Sequence, residues 1–183
     1  MRKFLLESIQ KTISKWTERD IYALSLFVYD DEDNPCKPTV TLGYNTEQAF
    51  RENRADASDE LEARWNYAFW LQNEEFVFGK GRTRKYVKQW LAENNFPNYS
   101  DKQIEAMELN DVDKLECITL KFVETLIGIV QELHSTGFIR QKFGKDIPVI
   151  IHELEYYDTI AEQNLRANPP ELVEDFAKFC RGE

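Results

Sequence analysis

Two β-rich runs on either side of a polar turn constrain this chain more than any other feature. From Ile21 to Tyr29, the alternate residues Tyr22, Leu24, Leu26 and Val28 form one apolar face. From Thr39 to Tyr44 the alternation repeats, with Val40, Leu42 and Tyr44 inward and Thr39 and Thr41 outward. Between them, Asp30-Asp31-Glu32-Asp33-Asn34-Pro35 is a polar turn that Pro38 closes. A period of two on both sides of a turn predicts an antiparallel hairpin with a long acidic loop. Its apolar face must be covered, and most of the remaining chain has helical periodicity.

Residues 3–16 place Phe4, Leu5, Ile9, Ile13 and Trp16 on one helical stripe. Asn45, with Gln48 in capping-box position, predicts a helix to about Ala57. Leu61 to Trp70 fits both periods: Trp65, Tyr67 and Phe69 alternate like a strand, while Leu61, Trp65 and Phe69 keep helical spacing. Aromatic enrichment favours a third strand at 64–70. A helix over 83–94 turns Tyr86, Val87, Trp90 and Leu91 inward, and Ser100 with Gln103 opens a short one. The longest spans about 111–135, with Leu115, Ile118, Phe122, Leu126, Ile129, Val130 and Leu133 in register and Gly137 as its stop. Ile147 to Leu154 is β-branched, with Pro148 at the permitted strand start. Thr159 with Glu162, and Asn168 with Pro169 and Glu171, mark two more helix starts; the last helix carries Leu172, Phe176 and Phe179 inward. The expected fold is α+β: a small, largely antiparallel sheet of three to four strands with about six helices packed mainly on one side. With 183 residues, no internal repeat and no linker, residues 1–183 read as one domain.

The formal charge is −10, and aromatic residues make up 13% of the chain. A surface of that sign repels phosphate backbones and anionic lipid at long range and speeds encounter with a basic partner; it also serves plain solubility. Cys36, Cys117 and Cys180 are scattered and odd in number, which argues against a disulfide framework or a structural zinc. Glu7 interrupts the apolar start Phe4-Leu5-Leu6, and no run approaches the roughly 18 apolar residues of a membrane span. The expected compartment is the cytoplasm.

Few residues suggest chemistry. His134 lies at the end of the long helix, where a partly charged imidazole would meet the helix dipole. His152 sits in a strand-like segment whose alternation sends Glu153 and Glu155 to the opposite face, and residue 156 is Tyr, so HExxH is absent. The run Asp30, Asp31, Glu32 and Asp33 lacks EF-hand spacing and reads as solvated. Gly79-Lys80-Gly81-Arg82-Thr83 precedes a helix but is not a Walker loop. Lys80, Arg82, Arg84, Lys85 and Lys88 form the one basic patch, on the solvated side of that helix, so nucleic acid is not expected. No nucleophile motif occurs, and no cofactor or metal site is expected.

The stretch Ile21-Tyr22-Ala23-Leu24-Ser25-Leu26-Phe27, then Gly43-Tyr44-Asn45-Thr46-Glu47, together with Pro148-Val149-Ile150-Ile151-His152-Glu153-Leu154-Glu155 and Ala167-Asn168-Pro169-Pro170-Glu171-Leu172, resembles a bacterial domain family of unknown function. That family implies no catalytic residues. Small acidic α+β domains of this kind are also similar to immunity proteins, which neutralise toxins by covering their active sites. The expected function is therefore a non-catalytic acidic protein-binding module, of immunity type against a basic toxin. Asp30, Asp31, Glu32 and Asp33 would steer the partner, and Trp65, Tyr67 and Trp70 would anchor it. The alternative is a small hydrolase or metal-dependent enzyme using His152 with Glu153 or Glu155.

Overall fold

In the computed structural model, which describes residues 1–183, β1 (Ile21–Asp30) is a central strand with neighbours on both sides. It pairs antiparallel with β2 (Pro38–Thr46), forming the expected hairpin, with Leu24 opposite Tyr44 and Val28 opposite Val40. On its other side it pairs in parallel with β4 (Val149–His152), Leu24 opposite Val149 and Phe27 opposite His152. A short β3 (Phe76–Phe78) pairs antiparallel with β2, giving a four-stranded mixed sheet in the order β3-β2-β1-β4. The fold is α+β, with more helices than the six expected. No helix is long and apolar enough to cross a membrane.

Alternation along β1 divides the core. Leu24, Leu26 and Val28 join Val40, Leu42, Tyr44, Val149 and Ile151 in a cluster of 30 buried residues. Covering that face are α1 (Arg2–Ile13), α4 (Arg84–Glu93) and the 20-residue α7 (Glu116–Ser135), through Leu5, Ile9, Trp90, Phe122, Leu126 and their neighbours. The opposite face carries a smaller, aromatic cluster of 13: Tyr22, Ala23 and Ile150 against Phe50, Trp65, Trp70, Ile160, Phe176 and others. These come from α2 (Glu47–Asn53), α3 (Glu60–Trp65), α9 (Asp158–Ala167), α10 (Glu174–Arg181) and the 66–70 turn. Most of the core thus lies on one face, but the other is covered too, so Thr39 and Thr41, expected in water, are buried.

Three sequence expectations change for local reasons. Tyr22 does not share a face with Leu24: a β-bulge between Ile21 and Ala23 rotates it to the aromatic side. Residues 64–70 are not a strand. Asp59 caps α3 by accepting the Glu62 N–H at 2.8 Å, and Asn66 starts a 3-10 turn by accepting the Ala68 N–H at 3.0 Å, so capping overrides aromatic β-propensity. The helix over 111–135 is two, α6 (Leu109–Asp113) and α7, parted where Leu115 N–H bonds Val112 O in a tight turn after Asp111 and Asp113, both poor helix formers. Between these segments, α5 (Asp101–Glu105) opens as expected, Gln103 Oε1 accepting the Ser100 N–H at 3.0 Å. A glycine turn then leads from α7 into α8 (Phe138–Phe143).

Two asparagines read as helix caps do other work. Asn45 lies buried in β2, its amide donating to Tyr22 Oη at 2.9 Å, and Thr46 is the residue that caps α2. Asn168 ends α9 rather than starting a helix. With Asn164, one turn earlier, it lies along the outer edge of β4. Asn168 Oδ1 accepts the Val149 N–H at 2.8 Å and its Nδ2 donates to Val149 O at 3.0 Å; Asn164 does the same for Ile151 at 2.8 and 2.7 Å. Two side-chain amides thus stand in for a neighbouring strand and close a sheet edge that would otherwise be open to pairing.

Candidate functional site

The carboxyl ends of the parallel strands β1 and β4 lie side by side, and the chain leaves them in opposite directions: from β1 toward β2, from β4 toward α9 at the far edge. Divergence of this kind opens a crevice beyond the strand ends. A cleft of about 600 Å³ lies there, bounded by the N-terminal half of α7 and the loop into α9, and a shallower pocket continues it over Phe27 and Tyr29. Asp30, Thr119, Glu153 and Tyr157 line both. Thr119 Oγ1 lies 2.9 and 3.0 Å from the two Asp30 carboxylate oxygens and donates to that carboxylate, and Tyr157 Oη donates to Glu153 Oε2 at 3.3 Å.

The cleft is electrostatically loaded. Burial, against the Thr119 hydrogen bond and reinforced by Glu153 and Asp33, raises the Asp30 carboxyl to about 6. Burial also raises Glu153, with Glu116 and Glu155 adding to it. Carboxyls held above their ordinary range by desolvation and one another attract a cation. The rim is apolar: Leu154 is 75% exposed, Leu120 58% and Tyr157 44%.

The expected site residues do not gather there. Asp30 alone of the acidic run faces the cleft. Asp31 is paired with Lys80 at 2.8 Å, Glu32 is in contact with Lys37, and Asp33 is exposed. The turn is therefore partly neutralised by Lys37 and Lys80 rather than offered as a uniform negative surface. Trp65 and Trp70 are 6% and 5% exposed, members of the aromatic core, so neither is presented to a partner; Tyr67 is half-buried over Phe27. Their chemistry is internal: Trp70 Nε1 donates to Arg64 O at 2.8 Å, and Tyr67 N–H donates to Tyr156 Oη at 2.9 Å.

His152 is fully buried, with Phe27, Tyr67, Trp70 and Tyr156 around its ring at centroid distances of 4.7–6.3 Å. Its Nδ1 lies 3.0 Å from the main-chain oxygen of Glu153, which only accepts, so Nδ1 carries the proton and Nε2 accepts from Ser25 Oγ at 2.8 Å. Burial lowers its pKa to about 4 and keeps it neutral. The ring meets the Glu153 backbone, not the Glu153 or Glu155 carboxylates. Ser25 is 2% exposed, so this hydrogen-bonded pair lies out of reach of a substrate. At His134 burial lowers the pKa, outweighing Asn168 and Asp146, which disfavours the charged form that a helix terminus would attract. No group of three or more His, Cys, Asp or Glu side chains is placed to hold a metal ion.

The cleft escaped sequence reasoning because its members come from positions 30–35, 112–123 and 153–163. The one signal was the acidic spacing Glu153-x-Glu155 beside the exposed Leu154. Comparison with protein-family models, curated proteins and solved structures finds no match for this chain, so its site is read from its own geometry.

Proposed function

We propose that this chain is a non-catalytic, acidic protein-binding module whose contact surface is the cleft at the carboxyl ends of β1 and β4, and that the partner inserts a lysine or arginine there. The observation that carries the reading is the coincidence of Asp30 and Glu153, both raised in pKa, with the exposed apolar rim of Leu120, Leu154 and Tyr157. A cation entering the cleft relieves the carboxylate repulsion, and the rim offers the apolar contact that holds it. The chain's net charge of −10 favours encounter with a basic protein. The narrower form is an immunity-type role, in which the inserted cation belongs to the active site of a basic toxin. An enzyme built on His152 with Glu153 or Glu155 gains nothing from a ring that points into the aromatic core.

The test is binding of labelled protein to an immobilised peptide library that varies charge and apolar content independently. Peptides pairing Lys or Arg with a neighbouring apolar residue should be retained and should be lost as salt rises. Glu153→Gln and Leu154→Ser should each weaken retention by about tenfold, while Glu105→Gln, at an exposed carboxylate outside the cleft, leaves it unchanged. Because a cation favours ionised Asp30, retention should fall as the pH drops through about 6. Retention indifferent to charge, or equally sensitive to all three substitutions, would remove the cleft from the reading.

A further inference from the structure

Four cations of this acidic chain share one concavity, distinct from the cleft. Lys80, Arg84 and Lys88 follow at intervals of four, the last two on one side of α4. Lys37, from the β1–β2 turn, comes to meet them. The four line a cavity of about 390 Å³ together with the carboxylates of Asp31 and Asp101. Lys37 and Lys80 are ion-paired, Lys37 also with Glu32, whereas Arg84 and Lys88 have no carboxylate partner. Asp31 holds Lys80 at 2.8 Å, while Asp101, itself fixed by Asn34 Nδ2 at 2.8 Å, holds Lys37 at 2.6 Å.

Two features separate this cluster from an ordinary solvated helix face. Lys37 is only 15% exposed, and Arg84 is half-buried, with one guanidinium nitrogen donating to Cys36 O at 2.8 Å. A second, Nη1, is shielded from solvent and has no hydrogen-bond partner in the protein. Desolvating cations side by side, with a donor left over, is unfavourable unless an anion completes the arrangement. Lys85, on the same helix, lies over Tyr86 instead and takes no part in the cavity.

We propose that this cavity binds a phosphoryl group carried by a small molecule. A phosphate offers several acceptor oxygens to a guanidinium and converging ammonium groups, and the N-terminus of α4 adds its dipole in the same sense. A cavity of this size takes a small ligand. The net charge of −10 opposes a polyanion such as nucleic acid, whose charge extends far beyond the cavity, much more than it opposes a compact anion.

The test is a titration of ¹⁵N-labelled protein, at ionic strength fixed with chloride, by inorganic phosphate, by ribose 5-phosphate and by a short single-stranded oligonucleotide. Saturable shifts at the amides of Gly79, Gly81 and Ser100 are expected with both phosphates, with ribose 5-phosphate the tighter. Lys88→Gln, at an exposed position that does not endanger folding, should weaken both by about fivefold or more, and Lys85→Gln should leave them unchanged. Shifts no larger than chloride produces would overturn the proposal. So would equal weakening by the two substitutions, or an oligonucleotide that binds more tightly than either phosphate.

Discussion

The two faces of β1 are neighbours in sequence and opposites in chemistry. On one, Leu24, Leu26 and Val28 meet a layer that is mostly aliphatic, with Trp16, Phe78, Trp90 and Phe122 among it, and packing is the main force that holds it. On the other, Ser25 and Phe27 meet a layer in which polar groups are enclosed with aromatic rings: Ser25 with His152, Tyr22 with Asn45, and Trp70 with the Arg64 carbonyl. Dispersion and area burial stabilise the first face and tolerate no void. The second depends on its enclosed donors and acceptors being paired, the Trp65 indole N–H and the Thr41 hydroxyl being exceptions, because an orphan there forfeits its solvation. The first face should therefore respond to volume and ignore pH, whereas the second should respond to both.

The largest effect expected is on the aliphatic face. Leu26, fully buried at the middle of the sheet, truncated in Leu26→Ala, should lower the unfolding free energy by about 3–4 kcal/mol in urea titrations. The loss should be the same at pH 7 and pH 4.5, since no titrating side chain is altered. A loss that changed with pH would break the division between the faces.

The aromatic face should show the opposite behaviour. His152 has its pKa lowered to about 4 in the folded chain and titrates near 6.5 when unfolded. Between those values the unfolded chain binds the extra proton, so stability falls as pH drops from 6.5 to 4. The full loss is about 3 kcal/mol, at 1.36 kcal/mol per pKa unit. Measured against the non-titrating His152→Gln, the native protein should show this extra loss over that window. Asp30, in the cleft beyond the strand ends and in neither layer, runs in the reverse sense. Raised from 3.8 to about 6, it binds its proton more readily when folded, so its contribution declines as pH rises through that range. Asp30→Asn should therefore gain about 2 kcal/mol on the native protein between pH 4 and pH 7. Equal pH slopes in all three proteins would mean that neither group is desolvated as the packing implies.

How far this contrast was legible in the sequence depends on the kind of interaction. Periodicity located the hairpin, the faces of α1 and α4, and the aliphatic stripe of α7, because burying a stripe leaves a period in the sequence. It failed at Tyr22, where a single bulged residue reverses the alternation, and at 64–70, where the caps Asp59 and Asn66 decide the backbone and the aromatic spacing does not. Capping patterns failed also for Asn45 and Asn168, and nothing in the sequence singled out Asn164. An asparagine that satisfies a strand edge or a buried phenol looks in sequence like one that caps a helix, since the same amide serves both ends. The cleft and the basic cavity were the least legible, because each is assembled from segments whose proximity follows only from sheet order. Asp30 was named as part of a solvated run, yet its neighbours Asp31 and Glu32 turn to lysines while it turns to Thr119.

The smallest effect sharpens the contrast most directly, because it isolates hydrogen-bond accounting from volume. The Arg64 carbonyl accepts two buried donors, Tyr22 Oη at 2.7 Å and Trp70 Nε1 at 2.8 Å. Tyr22→Phe leaves the carbonyl its indole donor but deprives the buried Asn45 amide of its acceptor, and should cost about 1–2 kcal/mol. Trp70→Phe removes ring area yet leaves the carbonyl its phenol. Only the double variant strips the carbonyl of both, so its loss should exceed the sum of the singles by about 0.5–1 kcal/mol. A strictly additive cycle would mean that volume governs this face as it does the other. Positive coupling, with no such term between Leu26→Ala and Val28→Ala beyond what shared packing produces, would place the distinction between the two faces in polar satisfaction.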